Sequence, residues 1–144
     1  EQHLSTNLQS RKEVQAPDSS TSGKSYLPVY SQIYQRSERL TYDLTITVSI
    51  RNVNPNHQVF LRNIDYFDTK GTLVHNYLNK IISLDPLETV EIVIEGENIR
   101  GGTGDNFIID WLAPHGAHHP LIQGVMISTA GQQGLSFVTS AINL

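Results

Sequence analysis

The chain of 144 residues carries a net charge of −4 and contains no cysteine, and its length fits one domain with or without a tail. The missing cysteine excludes disulfides, thiolate catalysis, Fe–S clusters and cysteine-type zinc sites. The acidic balance argues against nucleic-acid binding, and no apolar run approaches the roughly 18 residues needed to cross a bilayer.

The N-terminal segment differs from the rest of the chain. Residues 1–23 lack hydrophobic periodicity and end in a Ser/Thr/Gly-rich run, so they bury too little apolar surface to offset the entropy of ordering. We therefore predict a flexible N-terminal linker or tether over 1–23 and a β-sandwich domain over 24–144. Because the sequence begins at Glu1 rather than Met, we expect a removed signal peptide and an exported protein, in the periplasm, the thylakoid lumen or at the cell surface.

Residues 40–50 carry the strongest pattern. Apolar side chains alternate with Thr, Asp and Ser throughout LTYDLTITVSI, and this period of two predicts a strand with one face in a core and the other in water.

Further strands follow, separated by turns rich in Gly, Asn, Asp and Pro. About eight strands with no helix predict an all-β, antiparallel two-sheet sandwich of the immunoglobulin-like kind, in preference to a closed barrel. Trp111 alternates in phase with Phe107 and Ile109, which favours a core position over an exposed platform for a sugar or a partner. The remaining predicted strands are 59–67, 73–77, 81–84, 90–94, 107–111, 121–129 and 135–141.

A glycine-rich loop over residues 96–106 is the first candidate site. A phosphate cradle would need a following helix, but a strand follows here, so the glycines more simply allow positive φ. Irregular loops on a sandwich commonly carry binding functions. The binding candidates in this loop are Gly101, Gly102, Asp105 and Asn106.

A histidine-rich loop over residues 113–120 is the second candidate. Its histidines, His115, His118 and His119, are of the type that binds zinc, copper or nickel. Asp105 and Asp110 are the nearest acidic candidates for a fourth ligand. The sequence shows nothing that would fix the histidine geometry, so a plain exposed polar loop is the alternative.

Catalytic patterns are weak throughout. Ser136 and His75 lack the Gly-x-Ser-x-Gly elbow of a hydrolase, and Glu95 with Glu97 is more simply a solvated strand face than a glycosidase pair. Five acidic residues without EF-hand spacing leave a weak calcium hypothesis. We predict that the chain is not an enzyme and has no cofactor. The five acidic residues are Asp65, Asp68, Glu95, Glu97 and Asp105.

Five segments in order, VYSQIY, DLTITVSIRN, YFDTKGTLV, GGTGDNFIIDW and GVMISTAGQQGLSF, resemble a bacterial family catalogued as domain of unknown function 3124. The resemblance spans roughly residues 26–142 and implies a small exported protein, in some members a lipoprotein, without an assigned activity. This sequence has no lipobox cysteine, so the resemblance does not carry a lipid anchor over. Arg51-Asn52 followed by Asn54-Pro55-Asn56 is also similar to water-stress sandwich domains of late-embryogenesis proteins.

These observations favour a non-enzymatic exported interaction module that binds an unidentified protein partner through loops or an edge strand. The alternative is a metal-binding protein that uses the loop from His115 to His119. We expect no nucleic-acid partner, and membrane association only through the N-terminal tether. The sequence leaves the oligomeric state open.

Overall fold

The computed structural model describes residues 3–5, 8–34, 41–95, 102–128 and 134–144, and of residues 3–5, 41 and 42 it describes the backbone alone. All regular structure in these ranges is β, and no helix in them is long and apolar enough to span a membrane. The prediction of an all-β, antiparallel two-sheet sandwich is confirmed. The strands are β1 (His3–Ser5), β2 (Ser20–Val29), β3 (Gln32–Tyr34), β4 (Thr41–Asp43), β5 (Thr45–Arg51), β6 (Val59–Phe67), β7 (Leu73–Leu78), β8 (Ile82–Leu84), β9 (Thr89–Glu95), β10 (Asp105–Pro114), β11 (Leu121–Ser128), β12 (Leu135–Ser140) and β13 (Ile142–Asn143).

The first sheet has the strand order β1-β9-β5-β11-β12, with every neighbouring pair antiparallel. The central strand β5 turns Ile46, Val48 and Ile50 into the core, as its alternation predicts. The second sheet has the order β13-β2-β10-β6-β7, and β8 pairs with β6 beside β7.

The core lies between the two sheets and contains several aromatic rings. Tyr66 and Phe107 stack with ring centroids 4.8 Å apart. Trp111 is 6% exposed, and its Nε1 donates a hydrogen bond of 2.9 Å to Ser25 Oγ. The core position of Trp111 is therefore confirmed, and the exposed platform is not formed.

The predicted strand over residues 40–50 is interrupted at Leu44. Before it, β4 pairs with β3 in a separate hairpin, and after it β5 enters the first sheet. The backbone N–H of Leu44 donates to Ser31 O at 2.9 Å, while its side chain is buried. The break gives two strands, β4 and β5, where the sequence predicts one, and thirteen short strands are described in place of about eight. Residue 40 lies outside the described residues.

Residues 8–18, here called the N-terminal strap, lie against the domain, whereas the sequence predicts a flexible segment. Leu8 is fully buried in the core, Gln9 Nε2 donates to the carbonyl of Tyr77, and Arg11 forms an ion pair with Glu88. Strand β2 also begins at Ser20 rather than after residue 23. The strap is ordered by contacts with residues about seventy positions away, which local composition does not register.

Candidate functional site

The described residues of the two loops identified from sequence lie at opposite ends of the sandwich. Strand β10 joins them, running from Asp105 to Pro114, and ten extended residues span about 30 Å. Asp105 is therefore too far from the histidine loop to be its fourth metal ligand. Asp110, the other acidic candidate, accepts a 2.9 Å hydrogen bond from Lys24 Nζ through its Oδ2, whereas its buried Oδ1 has no hydrogen-bond partner among the described residues.

Asp105 organises the glycine-rich end. Its carboxylate is 1% exposed, and Oδ2 accepts hydrogen bonds from the Tyr66 hydroxyl at 2.7 Å and the Gly102 N–H at 3.0 Å. Oδ1 accepts from Thr69 Oγ1 at 3.1 Å. We call these four residues the carboxylate staple. Both carboxylate oxygens are committed to internal donors, so the staple holds the loop rather than offering a charge to a ligand.

The electrostatics of the staple fit a structural role. Burial raises the pKa of Tyr66 far above that of a free phenol, and the neighbouring Asp105 carboxylate raises it further. The phenol therefore stays neutral and acts as a fixed hydrogen-bond donor. The Tyr66 phenol is therefore a structural donor rather than a group that releases its proton near neutral pH.

Gly102 is closely packed against Thr69, and its backbone does not have a positive φ. A Cβ at Gly102 would lie 2.7 Å from Thr69 Oγ1, and the Gly102 carbonyl accepts the backbone N–H of Ser31 at 3.0 Å. The glycines with positive φ in the described residues are Gly71 and Gly116. The positive-φ explanation is thus wrong for Gly102, where close approach to Thr69 is the reason for glycine. Gly101 lies outside the described residues.

The last binding candidate of that loop, Asn106, is half-buried within β10. It lies between Pro28 of β2 and Phe67 of β6 in the register of the second sheet. Its position is that of a strand residue, not of a loop tip.

Two buried asparagines organise the opposite end, and we call Asn52 and Asn54 the asparagine clamp. Each is 2% exposed. Asn52 Nδ2 donates to the carbonyls of His57 at 2.8 Å, Leu84 at 3.2 Å and Asp85 at 3.0 Å. Asn52 Oδ1 accepts from both the backbone N–H and the side-chain amide of Asn54, each at 2.9 Å. The clamp ties the turn after β5 to the turn before β9.

The asparagine clamp also fixes the histidine loop. Asn54 Oδ1 accepts the backbone N–H of His118 at 2.8 Å, and Asn54 Nδ2 donates to the His118 carbonyl at 2.9 Å. The ring of His119 lies 5.7 Å from that of Trp111, centroid to centroid. The expectation that nothing fixes this loop is wrong, because both backbone groups of His118 are held while its side chain stays exposed.

A shallow apolar groove of about 380 Å³ opens beside this fixed backbone. Val53 and Leu121, at 39% and 43% exposure, are large apolar side chains facing solvent. Buried Pro120 and the exposed imidazoles of the loop complete the wall. The groove is lined by Val53, His118, His119, Pro120 and Leu121.

The predicted metal ligands do not gather. His115 is placed by its backbone, whose N–H donates to Ser19 O at 3.3 Å, whereas His118 is held by Asn54. Across the described ranges, no group of three or more His, Cys, Asp or Glu side chains is arranged to hold a metal ion.

Three of the five acidic residues of the calcium hypothesis have separate internal partners, and a fourth, Glu95, is exposed at the end of β9. Asp65 accepts amide hydrogen bonds from Asn63 and Asn76, at 2.8 and 2.7 Å. Asp68 caps its turn by accepting the backbone N–H groups of Lys70 and Thr72, each at 2.9 Å. Asp105 belongs to the carboxylate staple, and Glu97 lies outside the described residues.

The asparagine clamp is the feature that sequence reasoning missed. The sequence feature that indicates it is the Asn-Val-Asn-Pro run at the end of the alternating strand. Asparagine side chains in such runs commonly form hydrogen bonds with the backbone groups of a turn. That run predicts a local turn, but nothing in it indicates the contact with His118, which is 64 positions away from Asn54.

Comparison with known proteins identifies a family but no activity. The family model described as "Protein of unknown function (DUF3124)" matches residues 22–144. The crystal structure of Thermotoga maritima 1070 is similar in fold, with a TM-score of 0.50, 10% identity, and coverage of 83% of this chain and 92% of that one. No curated protein matches the chain.

Proposed function

The chain belongs to this family of unknown function, and we propose that it is a non-enzymatic, exported protein-interaction module that binds a protein partner through the groove at the asparagine-clamp end. The observation that carries the proposal is a contrast within one loop. The His118 backbone is fixed on both sides by Asn54, while the neighbouring side chains are left facing solvent. Ordering a loop before binding lowers the entropy lost on association.

The groove's chemistry indicates what the partner presents. Val53, Pro120 and Leu121 suit an aliphatic or aromatic side chain. The imidazoles of His118 and His119 offer hydrogen bonds at the rim, and Arg51 lies opposite Leu121 in the pairing of β5 with β11. A segment with one apolar anchor beside an acidic or carbonyl acceptor matches this surface.

The non-enzymatic part of the proposal is supported by the internal use of the buried acid–phenol pair formed by Asp105 and Tyr66. Asp105 and Tyr66 bond to each other and to their own loop. They stabilise the opposite end of the sandwich from the groove, so the proposed binding surface is separate from them.

Peptide selection tests the binding proposal. Random peptides displayed on phage are selected on the immobilised chain, and affinities of the recovered peptides are measured by fluorescence anisotropy. We expect Val53→Asp with Leu121→Asp to weaken binding at least about 30-fold, since a buried anchor typically contributes 2 kcal/mol or more. Leu73→Asp is the matched control. Leu73 is 50% exposed but lies on the edge strand β7, outside the groove, so this variant should leave affinity unchanged.

Two outcomes would overturn the groove as the binding surface. One is recovery of no peptide above background. The other is recovery of peptides that bind the double variant as well as the unchanged chain.

Export is tested separately, by fractionating bacterial cells that express the natural gene. The proposal rests here on the family resemblance and predicts the protein outside the cytoplasmic fraction. Recovery with the cytoplasmic proteins would contradict it.

A further inference from the structure

The described strands at the edges of the two sheets differ in the features that protect a sheet edge from pairing with other chains. Natural edges are usually short, bulged, charged or interrupted by proline. Strands β1 and β13 have three and two residues, and β7 pairs with β6 through two register shifts. Each of these three edges carries one of the usual protections.

Strand β12 carries none of them. It has six residues, Leu-Ser-Phe-Val-Thr-Ser, without charge, proline or glycine. It pairs with β11 in continuous register, and no described strand pairs with its other side. An unblocked, regular edge of this kind offers a row of backbone donors and acceptors to a further strand.

A row of β-branched side chains leads across the outer face of the first sheet to this edge. Val93 lies opposite Thr47, Thr47 opposite Val125, and Val125 opposite Val138. Val138 is 58% exposed and ends the row at the open edge. An added strand that placed a β-branched residue beside Val138 would continue the row and cover that side chain.

We propose that the open edge of β12 pairs antiparallel with β12 of a second copy of this chain, in the register that places the two Val138 residues opposite each other. A two-fold axis through that pair makes the same surface meet itself, as symmetric dimers require. The register sets Ser136 against Ser140 of the other copy on the outer face. Phe137 then lies against Thr139 of the other copy on the inner face.

Val138, at the centre of β12, is what favours a second copy as the occupant. A two-fold axis through Val138 places the Val138 side chain of the other copy beside it, which supplies the β-branched neighbour that continues the row. The six residues of β12 are uncharged, so no charged side chain of one β12 faces the other, although the whole chain has a net charge of −4. The joined sheets would contain ten strands, with the row of β-branched residues running through both copies.

Sedimentation equilibrium of the full chain tests the dimer. Edge pairing buries a small area, so we expect a dissociation constant on the order of 10–100 µM, with mass rising toward twice the 16.1 kDa of one chain. Val138→Lys should weaken dimerisation more than tenfold, and Val138→Thr should preserve it.

Ile127→Lys is the matched control. Ile127 is 43% exposed on the same face, but its strand β11 is paired on both sides, by β5 and β12. Ile127→Lys should therefore leave edge-to-edge dimerisation unchanged. If the two copies instead stacked through the outer faces of their first sheets, this variant would weaken the dimer. Circular dichroism verifies that each variant is folded.

Cross-linking tests the register directly, because the chain contains no cysteine. Opposed residues in an antiparallel pair bring their Cβ atoms to about 4.5–5.5 Å, close to disulfide geometry. Val138→Cys should form a disulfide dimer under mild oxidation, and Ile127→Cys should not. A monomer up to about 1 mM, a dimer insensitive to Val138→Lys, or equal cross-linking of both cysteine variants would overturn the proposal. If the chain is a monomer, the partner of the β12 edge is instead an extended peptide of another protein.

Discussion

The two ends of the sandwich are held by opposite arrangements of polar groups. At the glycine-rich end, one buried carboxylate gathers two hydroxyls and a backbone N–H around itself. At the other end, two neutral amides reach outward to backbone groups of three different turns. Both arrangements satisfy buried polar groups, but they use the loop side chains differently.

This difference supports the proposal that the histidine loop, rather than the glycine-rich loop, forms the binding surface. The carboxylate staple uses Tyr66, Thr69 and Asp105 internally, so their side chains are not available to a partner. The asparagine clamp holds the backbone of His118 and leaves the imidazole exposed. A loop that is fixed through its backbone keeps its side chains for recognition, and a loop fixed through its side chains does not.

The largest expected effect is at the glycine-rich end. Asp105→Ala leaves three donors without an acceptor, and we expect a loss of about 4 kcal/mol in the free energy of unfolding, measured by urea denaturation. Asp105→Asn keeps an oxygen acceptor and should lose less. A loss below about 0.5 kcal/mol for Asp105→Ala would mean that the staple does not stabilise the fold.

At the other end, Asn52→Ala removes the bonds to three backbone carbonyls and to Asn54. We expect a loss of about 3 kcal/mol, smaller than at Asp105 because the clamp is uncharged. The same denaturation series measures it. An equal loss in the free energy of unfolding for Asn52→Ala and for Thr47→Ala, a change at a half-exposed position, would contradict a specific role for the clamp.

The pH dependence separates the two ends further. The unfolded phenol ionises near pH 10, whereas burial raises the pKa of Tyr66 in the folded protein. Its contribution is therefore complete below about pH 10 and is lost above it, by up to about 1.4 kcal/mol per pH unit. Tyr66→Phe should cost about 1–2 kcal/mol at pH 7 and remove this alkaline slope. An unchanged slope in Tyr66→Phe would assign it to another group.

The smallest expected effect on stability is at the groove. Val53→Asp with Leu121→Asp alters side chains that face solvent, so the free energy of unfolding should change by less than about 1 kcal/mol, as is usual for surface positions. Thermal denaturation followed by circular dichroism measures it. A loss comparable to that of Asn52→Ala would show that the groove residues serve the fold rather than binding.

The sequence predicted the parts of the structure that local patterns determine. The alternation of β5, the core position of Trp111 and the two-sheet architecture follow from periodicity. The strap's bonds to Tyr77 and Glu88 and the Asn54–His118 bonds do not follow from it, because each joins residues more than sixty positions apart. Residues 96–106 and 113–120 were predicted as loops, but 105, 106, 113 and 114 belong to β10, and 96–101 lie outside the described residues. The role of Gly102 depends on Thr69 and that of His118 on Asn54, neighbours that the local sequence does not indicate.

The central claim is that the clamp holds a binding surface and the staple does not. It is tested most directly by the affinity of one selected peptide for two folded variants, Asn54→Ala and Thr69→Ala, each of which removes hydrogen bonds at one end. We predict that Asn54→Ala weakens peptide binding at least about tenfold, because the His118 backbone is released and must be ordered on binding, and that Thr69→Ala leaves the affinity unchanged. Equal affinity for both variants, or a greater loss in Thr69→Ala, would contradict the claim.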